Sequence, residues 1–336
     1  MEGRGYSDYL AKRWESLKTN GFNLQSFVTG YKIIPDSILQ EICDLRSDDK
    51  ETNPKQSIQK DTDDMLKLLY IAEVWTTEIG GPRDNHTQLV CADVVDEKWD
   101  EVAKSMQDEH SKYDAEKAKR VGQQLANLNK VLKAKFFETG TREEKQQGPE
   151  LNEELLSRLH MDLMEGLLDK PGQYRETLAG PTTVPEVIYL VPARIPGRLK
   201  TLLSFTNRQV ESLREQYKGS NTSDRTEKTK MFILLGALYF SEFLFIHPFP
   251  NGNGRTARIS LNLLLTDVCE VPFSLFVCPP LCDESARSLY LKTLSMVHEC
   301  MTAGQQSVLP TALATYILLC IQRHCGMMRY ELVSEE

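Results

Sequence analysis

The sequence of 336 residues has no excess of positive charge and no cysteine pattern of a zinc site or a disulfide-rich domain. Its formal net charge is -8, whereas binding to a nucleic-acid backbone needs a basic surface, so we expect no nucleic-acid partner. Its eight cysteines form no CxxC pair and have no histidine nearby at zinc-ligand spacing. Buried, reduced thiols and a cytoplasmic location are the expectation.

Apolar runs long enough to cross a membrane are also missing. No stretch reaches about 18 uninterrupted apolar residues, and residues 1–16 lack the apolar centre of a secretory signal. Internal repeats and low-complexity tracts are absent too, which argues against a repeat scaffold. With 40% hydrophobic and 26% charged residues, the chain can bury a sizeable core, so we expect a globular protein without a membrane span.

The most informative stretch is HPFPNGNGRTAR, residues 247–258, which directly follows an apolar run. That run, residues 231–246, has few polar interruptions, and a helix that is apolar on all sides is normally buried. Pro248 ends the helix, and residues 256–267 resume a helical pattern. The sequence therefore predicts two helices joined by a glycine-rich loop, with the first helix at the centre of the core.

The residues of this loop are suited to binding an anion. At the start of a helix the main-chain N–H groups have no partner within the helix, and the helix dipole adds positive potential. Gly252 and Gly254 let the backbone approach a ligand closely, while Arg255 and Arg258 lie on one helix face. Because an imidazole titrates near neutral pH, His247 is the candidate general base. The prediction is a polyphosphate site with a base at its edge.

Each part of this stretch has a plainer interpretation when it is taken alone. A single histidine after a helix is usually a capping residue, Gly-Asn-Gly is usually a turn, and two arginines at helical spacing usually face solvent. The joint spacing favours a functional site. It is not a P-loop, since no Lys-Ser/Thr follows the glycines, and no strand precedes them as in a dinucleotide-binding fingerprint.

Residues 247–258 resemble the signature of the Fic (Fido) family: His-Pro-Phe, two variable positions, Gly-Asn-Gly-Arg, two more positions and Arg. The resemblance implies a protein adenylyltransferase, which moves AMP from ATP to a Ser, Thr or Tyr hydroxyl of a target protein, including itself, and releases pyrophosphate. It implies His247 as the catalytic residue and a nucleotide site formed by Asn251, Gly252, Asn253, Gly254, Arg255, Arg258 and Tyr290. We also expect the Asn253 amide to donate to a phosphate oxygen and Phe249 to pack inward.

Residues 186–193, EVIYLVPA, are rich in β-branched and aromatic side chains and predict a short extended ribbon. In the Fic resemblance this ribbon is the flap, which lies over the catalytic loop and pairs with the target's backbone through Ile188, Tyr189, Leu190 and Val191. The Gly-x-Tyr-Arg piece before it, residues 172–175, matches the family as well. An ordinary core hairpin fits the sequence of the ribbon equally well.

One position departs from the family's pattern. Many Fic enzymes have Asp or Glu immediately before Gly-Asn-Gly-Arg as a magnesium ligand, and here that position is Asn251. A carboxamide oxygen ligates Mg²⁺ without contributing charge, so we expect weak Mg²⁺ affinity or use of another metal such as Mn²⁺.

Two alternative functions stay open. A Doc-like relative would move the γ-phosphate of ATP onto a protein, although such motifs commonly depart at the Gly-Asn-Gly positions, which are intact at residues 252–254. A non-catalytic adaptor would keep the fold alone, although such a protein has no reason to retain His247. We therefore rank AMP transfer first.

The remaining sequence predicts an all-α protein, mostly helical, with the short β-hairpin of the flap. Residues 139–149 are polar and rich in helix breakers, so we place a boundary there. We expect a helical N-terminal region over 1–148, a Fic domain over 149–325 and a C-terminal tail over 326–336. Asn152 is the predicted cap of the domain's first helix, whose leucines continue at helical spacing to Leu168.

A last motif lies near the end of a predicted helix at about 65–81. Many Fic proteins have an inhibitory helix with Ser or Thr, three residues, then Glu followed by Gly or Asn, and its Glu pairs with the motif's second arginine. Thr76, Gly80 and Gly81 resemble this pattern with the glutamate replaced by glycine. The resemblance implies that no such carboxylate competes with ATP for Arg258. The glycine pair is equally well explained as a plain helix end.

Overall fold

Helices dominate the structure, a computed structural model that describes residues 4–22, 37–40, 42, 71, 93–94, 96–98, 100–102, 115–137, 148–180, 188–218, 222–268, 273, 275, 294 and 310–334. Seven α-helices have both ends within these ranges: α1 Arg4–Asn20, α2 Ala115–Leu132, α3 Glu153–Met164, α4 Ile195–Gln216, α5 Thr222–Ile246, α6 Asn253–Leu264 and α7 Thr311–Ser334. A π-helical segment, Lys133–Phe137, extends α2, and a 3-10 turn, Leu265–Asp267, extends α6. No strand occurs in the described residues, so the predicted all-α class is confirmed.

Helix α5 is the central element of the core, as its apolar sequence predicted. Every residue from 231 to 246 is buried except Phe245, which is half-buried. Helices α1, α4, α6 and α7 all pack against α5. The helix begins at Thr222, before the apolar run, because the preceding charged residues continue the helix on the protein surface.

By length and composition alone, α5 is also the one helix of the described chain that is apolar enough to cross a membrane. The most apolar part of the segment Asp224–Ile246 has a mean hydropathy of 1.6, but 89% of it is buried inside the structure. The core helix of a packed domain has the same properties, so burial accounts for its apolar character.

Helix α3 begins where its capping residue predicts. The Oδ1 atom of Asn152 accepts a hydrogen bond of 2.8 Å from the Leu155 N–H, which confirms Asn152 as the cap. The helix ends at Met164, and Gly166 adopts a left-handed φ of 70° shortly afterwards. The predicted helical spacing up to Leu168 therefore runs past the actual end of the helix.

The predicted ribbon over residues 186–193 is wrong at its last two residues, because Pro192 begins a 3-10 turn, Pro192–Arg194, that leads into α4. Residues 188–191 make isolated main-chain hydrogen bonds in place of a ladder. The Tyr189 N–H donates to the Ala179 carbonyl at 2.9 Å, and the Leu190 N–H donates to the Phe245 carbonyl at 3.2 Å. Residues 186 and 187 lie outside the described residues.

Helices α5 and α6 approach each other closely at Gly236. A Cβ atom built on Gly236 would lie 2.9 Å from Cδ1 of Leu261 and 3.3 Å from Cδ2 of Leu265. One turn along, the Tyr239 hydroxyl donates a hydrogen bond of 2.8 Å to the buried Ser260 hydroxyl. A side chain at position 236 would therefore press on Leu261 and Leu265, and the two helices lie close together where they cross.

Helix α1 joins the core through a buried polar cluster around Glu242 of α5. The hydroxyls of Tyr6 and Tyr9 donate to Glu242 at 2.9 and 3.1 Å, and Arg13 Nε lies 3.5 Å from Oε1 of the same carboxylate. The guanidinium carbon of Arg198 lies 3.8 Å from the centroid of the Tyr6 ring. Burial raises the pKa of the Glu242 carboxyl, against the opposing effects of Arg13 and the two tyrosines. We call these five residues the Glu242 cluster.

Contacts cross the predicted boundary near residue 148. Asn127 of α2 donates from Nδ2 to the Leu163 carbonyl at 3.2 Å and to the Glu165 carbonyl at 2.8 Å, so α2 packs against α3. At the other end, α7 continues to Ser334, across the predicted start of a tail at residue 326. The domain limits themselves stay predictions.

Candidate active site

Residues 247–252 form the loop between the end of α5 and the start of α6. Two of its residues have left-handed backbone angles: His247 with φ 49° and Gly252 with φ 73°. Gly252 is required for a second reason, because a Cβ atom there would lie 2.6 Å from Sδ of Met164. The loop is therefore held in one tight conformation by its own backbone and by α3 beneath it.

The His247 side chain is half-buried, and its orientation defines a tautomer. Its Nδ1 atom lies 3.2 Å from the Leu244 carbonyl oxygen. Since a carbonyl only accepts hydrogen bonds, Nδ1 is assigned the proton, and Nε2 then has the lone pair. An imidazole in this state can take a proton at Nε2, which is what a general base requires.

The flap residue Tyr189 lies directly on His247. The two rings are stacked, with centroids 4.0 Å apart and an angle of 9° between their planes. Leu190 beside it is half-buried, whereas Ile188 and Val191 are exposed by 55% and 42%. The described flap residues therefore place one aromatic ring on the histidine and two apolar side chains at the surface.

Arg175, which is buried, holds the end of α5 in place. Its Nε donates to the His247 carbonyl at 2.6 Å, and its Nη2 donates to the carbonyls of Ile246, at 3.3 Å, and of Leu190. Its main-chain N–H donates to the Pro248 carbonyl at 2.9 Å. The last carbonyls of a helix have no partner within it, and one guanidinium supplies partners here. Helix end, loop and flap are thereby tied to a single side chain.

His160, which the sequence did not single out, supports the loop from α3. The Gly172 N–H donates to its Nδ1 at 2.7 Å, so Nε2 bears the proton and donates to the Asn251 carbonyl at 2.8 Å. Its ring stacks on Phe249 with centroids 3.9 Å apart. Burial and the charge of Arg255 together lower its pKa to about 4, against the opposing effect of the hydrogen bond to the Asn251 carbonyl. The available signal was a histidine within the apolar stripe of α3.

Helix α6 presents positive charge at its start. Asn253 and Gly254 are the first two residues of the helix, where main-chain N–H groups have no acceptor within it. Arg255 and Arg258 follow, three residues apart, with side chains that are 5% and 3% exposed. The helix N-terminus and two buried guanidiniums together favour an anion at this end.

The Asn253 side chain bonds within the loop. Its Oδ1 accepts from the Phe249 N–H at 2.9 Å, and its Nδ2 donates to the Phe249 carbonyl at 2.7 Å. One N–H of the Asn253 amide is thus used within the loop, and its predicted donation to a phosphate stays a prediction. Phe249 is fully buried, as predicted, because this pair of bonds and the His160 ring hold it inward.

The described residues do not fit a magnesium site built from protein ligands. The Asn251 Oδ1 accepts a hydrogen bond of 2.7 Å from the Gly252 N–H, and the carboxamide bears no charge. Within the part of the chain that the structure describes, no three His, Cys, Asp or Glu residues are grouped so as to hold a metal ion. Mg²⁺ favours carboxylates, so no chemical step is assigned to it below.

Four predicted site residues lie outside the described residues: Tyr290, Thr76, Gly80 and Gly81. The remaining predicted residues are brought to one region, since the flap contacts His247 and the loop leads into α6. The site therefore combines an imidazole, a helix N-terminus and two buried guanidiniums.

Comparison with known proteins shows similarity to one family. Residues 150–265 match the Fic/DOC family model. Solved structures with a similar fold include a Fic family protein from Desulfovibrio desulfuricans, with 17% identity and a TM-score of 0.54 over 92% of this chain and 78% of that one. A Fic domain containing signalling protein from Bacteroides thetaiotaomicron has 18% identity and a TM-score of 0.54 over 86% of this chain and 96% of that one.

Fic-1 (residues 134–508) from C. elegans is similar as well, with 16% identity and a TM-score of 0.56 over 90% of this chain and 74% of that one. No curated protein matches the chain. At these identities the similarity concerns the fold alone.

Proposed function

We propose that the chain is a protein adenylyltransferase, on the match of residues 150–265 to the Fic/DOC family model and on the geometry of the loop. The family commonly transfers nucleotide or phosphate-like groups onto proteins. The observation that supports the proposal is the contact between Nδ1 of His247 and the Leu244 carbonyl, which assigns the lone pair to Nε2 in a residue one loop away from the start of α6. A cytoplasmic location remains part of the proposal.

In the proposed reaction the substrates are ATP and a Ser, Thr or Tyr hydroxyl of a protein, which includes the enzyme itself. The phosphates lie at the N-terminus of α6, where Arg255 and Arg258 offset their charge. Nε2 of His247 takes the hydroxyl proton as the oxygen bonds to the α-phosphorus. The bond between the α-phosphorus and the oxygen bridging to the β-phosphate breaks, and pyrophosphate leaves.

The target is proposed to approach along the flap. Ile188 and Val191 are exposed there, and the flap lies beside His247 through Tyr189. An extended target segment would place its hydroxyl near the base by packing on the exposed side chains of Ile188 and Val191, since the N–H groups of Tyr189 and Leu190 already donate to Ala179 and Phe245. Tyr290 is proposed to lie near the adenine, on the family resemblance alone.

The experiment that tests this proposal uses ATP labelled at the α-phosphate and, separately, at the γ-phosphate. We expect protein labelling from the α-position together with release of pyrophosphate. Labelling only from the γ-position would indicate the Doc-like kinase. If neither label is transferred with candidate targets present, the adaptor becomes the better interpretation.

Arg258→Ala should weaken ATP binding by about 10- to 100-fold, because it removes a charge-assisted contact to a phosphate of roughly 1.5–3 kcal/mol. Isothermal titration calorimetry measures the change. Arg158→Ala is the matched control, since Arg158 lies on the exposed face of α3 and pairs with Glu154. Equal ATP affinity in both variants would contradict the proposed phosphate site.

Asn251→Asp should strengthen Mg²⁺ binding at the loop, because it supplies a carboxylate where the parent has an uncharged carboxamide. The carboxylate adds the charge that Mg²⁺ prefers while keeping an oxygen that accepts from the Gly252 N–H. A titration of activity against Mg²⁺ should show half-saturation at a concentration about tenfold lower than in the parent. An unchanged half-saturating Mg²⁺ concentration in a folded variant would show that residue 251 does not contact the metal. The same titration is repeated with Mn²⁺.

Gly80→Glu tests the inhibitory-like segment at residues 76–81. We propose that Gly80 occupies the position of the inhibitory glutamate, so that the parent protein is constitutively active. Restoring the carboxylate should lower labelling of targets sharply, because it would pair with Arg258 and compete with ATP. Glu78→Ala is the control and should leave activity unchanged; if it raises activity, the assigned register is wrong.

A further inference from the structure

We propose that His160 is a positioning residue whose imidazole fixes the phosphate-binding loop relative to the base. This inference rests on the proposed function, because it assigns a role within that site. The observation behind it is a single buried ring whose two nitrogens bond to two different segments, at Gly172 and at Asn251.

One of these segments determines how the helix start faces an anion. Nε2 of His160 holds the carbonyl of Asn251, which belongs to the peptide bond that enters Gly252. Gly252 then turns through its left-handed conformation, and the N–H groups of Asn253 and Gly254 follow. Fixing that carbonyl fixes the plane of the peptide, and with it the direction in which the next N–H groups point.

The other segment leads to the base. Gly172, whose N–H donates to Nδ1, lies three residues before Arg175. Arg175 in turn holds the carbonyls of Ile246 and His247. The His160 ring therefore connects the peptide after Asn251 to the segment that holds His247, in addition to the connection through the loop itself. Reaction rates are sensitive to such spacing, since a small misplacement of reacting groups is costly.

Packing alone does not explain a histidine at this position. Its neighbours on the buried face of α3 are Leu156, Leu159 and Leu163. A leucine would continue that stripe, but it would leave the Asn251 carbonyl and the Gly172 N–H without their partners. The polar ring is thus needed for its two bonds, which serve the loop and the base separately.

Two substitutions separate the two bonds. His160→Gln reaches the Nε2 position and keeps a donor to Asn251, so ATP affinity should stay within about threefold while kcat falls about tenfold or more. His160→Asn reaches the Nδ1 position and keeps an acceptor for Gly172, so ATP affinity should fall about tenfold. His160→Leu should show both losses. Steady-state kinetics and calorimetry measure the two quantities.

His324 provides the control. It is a buried histidine of α7, and burial likewise lowers its pKa to about 4. His324→Gln and His324→Asn should leave kcat and ATP affinity unchanged per folded molecule. If the His160 variants behave like them, or lose both quantities only in proportion to the folded fraction, the positioning role is overturned.

A readout without ATP distinguishes this inference from the proposed function. Amide hydrogen exchange over residues 249–256 should be faster by tenfold or more in ligand-free His160→Asn, but not in His324→Asn. Unchanged exchange would overturn the inference even if the wild type transfers AMP. If exchange is faster in His160→Asn but the protein binds no ATP, the positioning role of His160 is supported and the proposed function is overturned.

Discussion

His247→Ala should lower the rate of AMP transfer by about 10²–10⁴-fold, because it removes the general base while leaving the nucleotide site in place. Affinity for ATP should stay within a few-fold, since Nε2 is assigned to the hydroxyl proton and the phosphates are assigned to α6. Transfer of α-labelled ATP and calorimetry measure the two quantities. Retained transfer would exclude His247 as the base.

The backbone at His247 calls for a second variant. Its φ of 49° is unfavourable for alanine, so His247→Ala changes backbone strain as well as chemistry. Asparagine tolerates the left-handed region and cannot act as a base at neutral pH. His247→Asn should therefore be as inactive as His247→Ala but closer to the parent in thermal stability, and an active Asn variant would show that position 247 needs only a polar group.

Arg13→Met should destabilise the protein by about 3–5 kcal/mol, because it removes the cation that lies 3.5 Å from the buried carboxylate of Glu242 and leaves its charge to be offset by Arg198. Glu242→Gln should relieve much of that loss in the double variant, because an amide needs no counter-charge. Urea unfolding at pH 7 measures the single and double variants. Additive losses would show that the two side chains do not interact.

The exposed pair Arg158–Glu154 is the control for this cycle. It has a shorter separation of 2.9 Å, yet its side chains are 63% and 80% exposed. Solvent screens such pairs, so the same cycle there should give a coupling below about 0.5 kcal/mol. A coupling as large as that of the Glu242 cluster would show that burial is not what makes the difference.

The pH dependence of stability gives a second test of the cluster. The folded protein binds a proton at Glu242 more readily than the unfolded chain, because burial raises the pKa of this carboxyl above its ordinary value of 4.5. This group therefore contributes a loss of stability as pH rises from about 4.5 through its folded pKa. Glu242→Gln should lack that decline, and a decline of equal size in the variant would assign it to other groups.

The sequence predicted those parts of this site that depend on residues close to one another in the sequence. Pro248 ends a helix, Asn152 caps one, and glycine permits the turn at position 252, and each of these is a local effect. The same holds for the buried central helix, because its composition alone requires burial. Local patterns were sufficient for the helix, loop and helix arrangement.

The parts that were missed depend on contacts between distant residues. The His160 side chain bonds to the Asn251 carbonyl, which is 91 positions away in the sequence. The Tyr6 hydroxyl bonds to the carboxylate of Glu242, which is 236 positions away. No local pattern contains such pairings. In the sequence Glu242 is only one of the few polar residues within the apolar run 231–246, and nothing near Asn253 indicates that its amide bonds to Phe249.

Gly236 sets a rule for which residues can replace one another in this fold. The base follows the end of α5 and the phosphates are proposed to lie at the start of α6, so the angle and spacing at which these helices cross determine the distance between them. A larger residue at position 236 would press on Leu261 and Leu265, whose side chains would have to move or be replaced by smaller ones. Sequences that keep the reaction should therefore compensate added bulk at position 236 by reduced bulk at positions 261 or 265, although none of these residues contacts a substrate in the proposed reaction.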